Sequence, residues 1–191
     1  MVDFSLDSEP FLGNYQKKFG TLTLCEITKR AIFSLVIPQG SETKAFNKIK
    51  SEFGIVIPPV GKAAVTKDES TSFLRLGIDQ LFCLVDTQQD TNRVHAEFSS
   101  RLEDYIFTTD QSDVWVSLTL SGNEVEKVLE RISPIDINRS KFTGGCVART
   151  TMEHLGTIIY RHSDTCFTLM SASSSAKSFL DAIETSIDSI I

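Results

Sequence analysis

The strongest constraint on this 191-residue chain is that it runs the same order of elements twice: strand, serine-capped helix, loop, hairpin, helix. The two serines expected to cap the first helix of each run, Ser41 and Ser121, lie 80 residues apart, and the second hairpin strands, 81–85 and 165–170, lie about 84 apart. The letters are not repeated, so the repeat is one of pattern. A β-α-β-β-α order whose helices cover one sheet face predicts an α+β fold of two ferredoxin-like halves with mostly antiparallel sheets. The expected frame is an irregular arm at 1–20, then one α+β domain at 21–191 built of pseudo-repeats 21–108 and 109–191. The uncovered face of each sheet is left for a second layer or for another protein.

Period and punctuation place the elements. Thr21–Ile37 alternates loosely and is rich in β-branched residues, which predicts one or two strands before Pro38-Gln39-Gly40. Ala45, Phe46, Ile49 and Phe53 fall at helical spacing between Ser41 and Gly54. Phe73–Asp86 reads as a hairpin turning at Gly77-Ile78-Asp79, and Thr91–Glu103 as a helix facing inward with Val94, Phe98 and Leu102. Val114, Val116, Leu118 and Leu120 share one side of the next strand, with Trp115 on the other. Ser121-Gly122-Asn123-Glu124 has the spacing of a capping box and opens a helix burying Val125, Val128, Leu129 and Ile132. Strands follow at Cys146–Thr151, Leu155–Tyr160 and Thr165–Met170, with a tight turn at His162–Asp164. A last helix starts in Ser171–Ser175 and lines up Ala176, Phe179, Leu180, Ile183 and Ile187.

Charge narrows the function. The formal net charge is −6, and all of it falls in the second half: residues 1–95 carry 11 basic and 11 acidic side chains, residues 96–191 carry 8 and 14. A phosphate-binding chain would carry a basic stripe, so no nucleic-acid partner is expected. No apolar run approaches the roughly 20 residues of a membrane helix, so no membrane partner is expected either. The acidic start MVDFSLDSEPFLGNY lacks the features of a secretory signal, and Cys25, Cys83, Cys146 and Cys166 sit singly inside apolar runs. The expected compartment is therefore cytoplasmic.

The search for chemistry finds no active site. Cys146, His154, His162 and Cys166 have zinc-binding atoms but lack the close pairs that structural zinc sites use, so no metal-ligating residue is assigned. No third group stands out to orient a Cys–His nucleophile pair. Thr143-Gly144-Gly145 precedes a strand, which excludes a nucleotide loop and leaves a turn. The serines of 171–178 lack a nucleophile elbow. The pairs Glu126/Glu130 and Asp181/Glu184 are expected on solvated helix faces, and Trp115 and the thirteen Phe are expected in the core. No catalytic and no cofactor-binding residue is assigned.

With these elements placed, the order of short motifs resembles the gamma subunit family of heterotetrameric sarcosine oxidase. Thr21-Leu22-Thr23-Leu24-Cys25-Glu26 is similar to the family's opening strand. Ala45-Phe46 and Phe53-Gly54-Ile55-Val56-Ile57-Pro58 are similar to its helix–Gly–Leu–Pro segment. Leu74-Arg75-Leu76-Gly77-Ile78-Asp79-Gln80-Leu81 resembles its Leu-Gly-Pro-Asp-Glu-Trp hairpin, with Ile78 for Pro and Leu81 for Trp, and Asp110-Gln111-Ser112 stands at its Asp-x-Ser. The most specific run is Leu118-Thr119-Leu120-Ser121-Gly122, Val128-Leu129, Pro134-Ile135-Asp136-Ile137, Phe142, Gly145 and Thr150. At the last helix, Ser173-Ser174-Ser175-Ala176 replaces the usual Arg-Ser-Phe-Ala.

The resemblance implies a fold like the folate-binding domain of the aminomethyltransferases. It also implies a non-catalytic subunit of a complex that oxidatively demethylates sarcosine to glycine. This chain would carry no cofactor, whereas FAD, FMN, NAD and tetrahydrofolate are implied for the partner alpha and beta (and delta) subunits. The alternative is a stand-alone folate or one-carbon module, for which Asp110 and Asp136 are the carboxylates to test against a pterin. The charge division adds one expectation: the acidic helices at 121–132 and 173–190 face solvent or basic patches, and the charge-balanced first half makes the apolar contacts.

Overall fold

The computed structural model describes residues 9–102 and 104–191. Residues 1–8 of the expected arm, and Glu103 at the expected end of the second helix, lie outside the described residues. Among the described residues eleven strands form two sheets in which every pair is antiparallel. The first sheet comprises β3 (Arg30–Val36), β4 (Ala63–Val65), β5 (Thr71–Arg75), β6 (Gln80–Asp86) and β7 (Phe107–Asp110), in the order β4-β5-β6-β3-β7. The second comprises β1 (Gln16–Phe19), β2 (Leu22–Glu26), β8 (Trp115–Ser121), β9 (Val147–Met152), β10 (Leu155–Ser163) and β11 (Cys166–Ala172), in the order β1-β2-β8-β11-β10-β9.

Helices and sheets stack in four layers because each sheet is buried on both faces. In β6, Leu81 and Cys83 join a core with helices α1 (Glu42–Phe53) and α2 (Thr91–Ser100), through Ala45, Ile49 and Phe98. The alternate residues Phe82 and Leu84 point the other way and meet Ile158, Tyr160 and Met170 of the second sheet. That sheet turns Leu118, Leu120, Ile159, Phe167 and Leu169 onto helices α3 (Val125–Ile132) and α4 (Ala176–Asp188). Strands covered on both sides read as continuous apolar runs, as Leu81–Leu84 does. Each fully buried Leu, Ile or Phe contributes ~1.5–3 kcal/mol. The face that the sequence left open for a second layer is filled by the other half of the same chain.

The two sheets repeat one another, but not in the expected frame. In the first, β3, β5, β6 and β7 take the 2-3-1-4 order of a βαββαβ unit. In the second, β8, β10 and β11 occupy the first three places, and the fourth, beside β8, is taken by β2. The boundaries 21–108 and 109–191 are therefore offset: residues 22–26 complete the second sheet and 107–110 the first. The arm is not irregular throughout, since Gln16–Phe19 pairs with Leu22–Glu26. The Glu26 carboxylate accepts backbone N–H groups from Leu12, Asn14 and Tyr15, which fixes the turn before β1.

Local expectations differ at the helix starts. Ser41 stands at the N-cap of α1 but makes no side-chain cap bond, and Glu42 instead accepts the Gly40 N–H. Ser121 does not cap α3. It remains in β8, paired with Cys166 and Thr23, and Glu124 holds the N-cap position without a side-chain bond. Val114 lies before β8 and is 45% exposed rather than in the core. The hairpin expected to turn at His162–Asp164 turns later, because β10 runs on to Ser163. Between β8 and α3 the chain is turned by Gly122 at φ 133, where an added Cβ would land on the Thr21 carbonyl. We expect Gly122→Ala to lower stability by more than about 1 kcal/mol in urea unfolding, through clash and backbone strain together.

Candidate functional site

Two crossings between the sheets, at 27–29 and 111–114, frame a cleft of about 400 Å³. Its lining includes Glu26, Arg30, Asp90, Ser112, Trp115 and Ser117. Arg30 begins β3 and donates from Nε to Asp86 Oδ1 at 2.6 Å, leaving its buried Nη1 without a partner. Trp115 Nε1 and Ser117 Oγ are also buried and unpaired, so three of the five such atoms among the described residues belong to this cleft's walls. An unpaired buried donor costs about 1–3 kcal/mol, which makes this the place where an acceptor from outside would gain most. Trp115 is otherwise packed as expected, edge-on to Phe82 at 5.5 Å between ring centroids.

A second recess of about 550 Å³ lies between α1, α2 and the 66–71 turn. Its carboxylates are already matched: Glu52 pairs with Lys48 and Arg101, Glu97 with Arg93, and Asp68 accepts from Thr66 and Ser70. No buried unpaired polar atom among the described residues lies in its lining.

The expected site residues are scattered. Among the described residues no three His, Cys, Asp or Glu side chains converge as metal ligands. His154 sits at φ 71 in the β9–β10 turn, while His162 reaches Thr168 Oγ1 at 2.7 Å and packs on the Tyr160 ring. Desolvation against that ring, reinforced by the Arg30 charge, lowers the His162 pKa. Asp110 and Asp136 are local turn-formers. Asp110 accepts the N–H and hydroxyl of Ser112, and the exposed Asp136 accepts the Asn138 N–H. Neither is a buried carboxylate held out to a pterin. The Thr143-Gly144-Gly145 segment is a turn, with Gly145 at φ 80. Ser171 and Ser173 are bonded to the backbone at Gly156 and Asp113.

Three charged side chains escaped the sequence reading. Arg161 is fully buried under α3. Its guanidinium donates to the carbonyls of Ile137, Phe142, Ser163 and Asp164, to Asp164 Oδ1, and to Glu126 Oε1 at 2.6 Å. Glu126, expected in solvent, is the counter-charge. Burial raises its carboxyl, but hydrogen bonds from Arg161 and Arg139 outweigh this and hold it below the usual glutamate range. Glu184, likewise expected in solvent, accepts from Tyr15 Oη at 2.6 Å and Lys17 Nζ at 2.8 Å, which ties β1 to α4.

Cys146 is the one nucleophile in a distinctive setting. Lys62 Nζ lies 2.9 Å from its Sγ and 3.2 Å from Thr143 Oγ1. Burial raises the thiol pKa, but the Lys62 and Thr143 contacts reverse this and bring it below its ordinary value. Backbone bonds on either side, Ala63 N–H to Gly145 O and Val147 N–H to Gly61 O, join the rim of one sheet to the other.

No family model matches the chain, and no curated protein matches it. Solved structures share its α+β architecture. A chain of the heterotetrameric sarcosine oxidase from Corynebacterium sp. U-96, in complex with pyrrole 2-carboxylate, superposes with a TM-score of 0.75 at 16% identity. That match covers 88% of this chain and 84% of the other. Glycine cleavage system aminomethyltransferase T from Bartonella henselae superposes with a TM-score of 0.64 at 11% identity, over 85% of this chain and 45% of that enzyme. This chain thus spans less than half of the transferase. At these identities the likeness is one of fold, and at that level the resemblance read from the motifs holds.

Two outcomes follow from the geometry. Arg161→Met removes the charge that Glu126 and four carbonyls depend on, and should cost about 3–5 kcal/mol in denaturant unfolding. Because the Glu126 pKa is lowered on folding, its contribution is present above the ordinary glutamate range and lost as pH falls through the lowered value; the variant should lose that part of the acid limb. Lys62→Met should move the pH inflection of Cys146 labelling by iodoacetamide upward and slow labelling at pH 7 several-fold.

Proposed function

We propose that this chain is a non-catalytic, gamma-type subunit of a sarcosine-oxidase-type complex that oxidatively demethylates sarcosine to glycine. The observation that carries this reading is the reach of the structural match. It takes in most of both chains in the sarcosine oxidase, whereas it covers less than half of the aminomethyltransferase. The matched chain of that sarcosine oxidase is thus of about the same extent as the fold described above. The motif order from Thr21 to Thr150 supports the same reading. In this reading the flavins, NAD and folate belong to the larger subunits, and this chain covers and steadies them.

The division of surface supports a partner-facing first half. Among the described residues six of the ten exposed large apolar side chains, including Val56, Val60 and Ile78, lie at or before residue 95, and Tyr105 and Phe107 follow shortly after. The net negative charge lies after residue 95. A folate-binding module is the second reading. It is favoured by the cleft between the sheets and its three unpaired donors, and calorimetry with tetrahydrofolate on the isolated chain tests it. A heat of binding lost in Arg30→Met would support it.

The subunit reading makes a direct prediction. The purified chain alone oxidises no sarcosine and carries no flavin absorbance, and on co-expression with the larger subunits it co-purifies with them at fixed stoichiometry. A stable monomer with no affinity for those subunits overturns the reading.

A further inference from the structure

The two sheets present four outer strands among the described residues. β4 and β9 meet at one end, where Lys62 and Cys146 form a backbone bridge. β1, with sequence QKKF, carries Lys17 and Lys18, and exposed lysines on an outer strand discourage further pairing. β7, with sequence FTTD, is different. Its first residue, Phe107, is 67% exposed, beside Val36 at 38% on the neighbouring strand and near Ile78 at 77% in the β5–β6 turn.

The internal repeat shows what belongs beside such a strand. β7 lies against β3 as β2 lies against β8, and β2 is covered on its outer side by β1. The corresponding place outside β7 has no strand among the described residues. The backbone there is in register to accept one. Gln111 donates its N–H to Ile32 O at 2.7 Å, so alternate residues Thr109 and Phe107 also face β3. Thr108 and Asp110 consequently turn their N–H and C=O groups outward.

Side chains on either face set the character of the missing strand. On the second sheet, Glu184 of α4 holds the basic β1 through Lys17. On the first sheet the matching helix offers a hydroxyl instead: Ser99 Oγ of α2 accepts from Thr108 Oγ1 at 2.8 Å. The opposite face offers the Phe107 ring and Val36. Where Glu184 selects a lysine-bearing strand on one sheet, the other has a hydroxyl on one face and apolar side chains on the other, and the one carboxylate of β7, Asp110, is taken up by the N–H and hydroxyl of Ser112.

We propose that β7 is a docking edge, and that an extended, uncharged segment of a larger partner subunit, apolar on the side facing Phe107 and Val36, pairs with it as a sixth strand of the first sheet. The segment bonds to the outward groups of Thr108 and Asp110, the mode of β-strand addition. This proposal rests on the reading of the chain as a subunit of a larger assembly.

Hydrogen exchange tests it, read residue by residue on the isolated chain and on the same chain co-purified with the larger sarcosine-oxidase-type subunits. In the isolated chain the Thr108 and Asp110 amides exchange at least tenfold faster than Thr109, and in the complex both become protected to its level. Phe107→Asp, at an exposed position, leaves the melting temperature of the isolated chain unchanged and weakens assembly at least tenfold. Assembly with both amides still exchanging fast overturns the docking edge and leaves the subunit reading standing. Failure to assemble at all overturns the subunit reading, and this proposal with it. Protection that instead grows with the concentration of the isolated chain overturns the partner assignment in favour of a second copy.

Discussion

Each sheet in this fold has two faces to bury, and the pressing together of their inner faces is what the rest depends on. Helices cover only the outer faces, through Ala45, Ile49 and Phe98 on one side and Val128, Phe179 and Ile183 on the other. Neither sheet could keep Phe82, Leu84, Ile158 and Met170 out of water alone. Each half is therefore the other's missing layer. The crossings at 27–29 and 111–114 are forced by this arrangement, and so is the cleft between them. The unpaired Arg30, Trp115 and Ser117 atoms lie where the chain passes from one sheet to the other, so the polar imperfection of the fold is concentrated at its seam.

The long elements were legible because their periods are long enough to read. The helical spacing of Phe179, Ile183 and Ile187, and the alternation of Val116, Leu118 and Leu120, report burial directly. β1, β4 and β7 were missed for the converse reason: each has three or four residues, and a strand that short and that exposed carries no alternation. The offset of the repeat was hidden for the same reason, since it turns on which sheet β2 and β7 choose. The serines at 41 and 121 signalled helix starts to within a few residues, though neither supplies the capping bond.

The site was less legible than the fold. Arg161 falls between the strand expected to end at Tyr160 and the turn expected at 162–164, and nothing local shows that carbonyls from residues 137, 142, 163 and 164 will gather round it. The Lys62–Cys146 contact spans 84 residues and exists only because the rims of the two sheets meet. Asp110 and Asp136 had the right chemistry for a pterin, but their neighbours two residues on, Ser112 and Asn138, draw the carboxylates into turns. Sequence shows which groups are present; the long-range path of the backbone decides which of them meet.

The strand exchange that places β2 beside β8 also bears on how the chain is made. Leu22–Glu26 is synthesised before its partner on the inner side, Leu118–Ser121, which follows roughly a hundred residues later. Until then β2 has only the short β1 to pair with, and a two-stranded ribbon alone is marginal in water. The first sheet is complete once Asp110 has emerged from the ribosome, while the second waits for its own strands and for the early one held in reserve. Closure of the second sheet is thus a late event of high contact order.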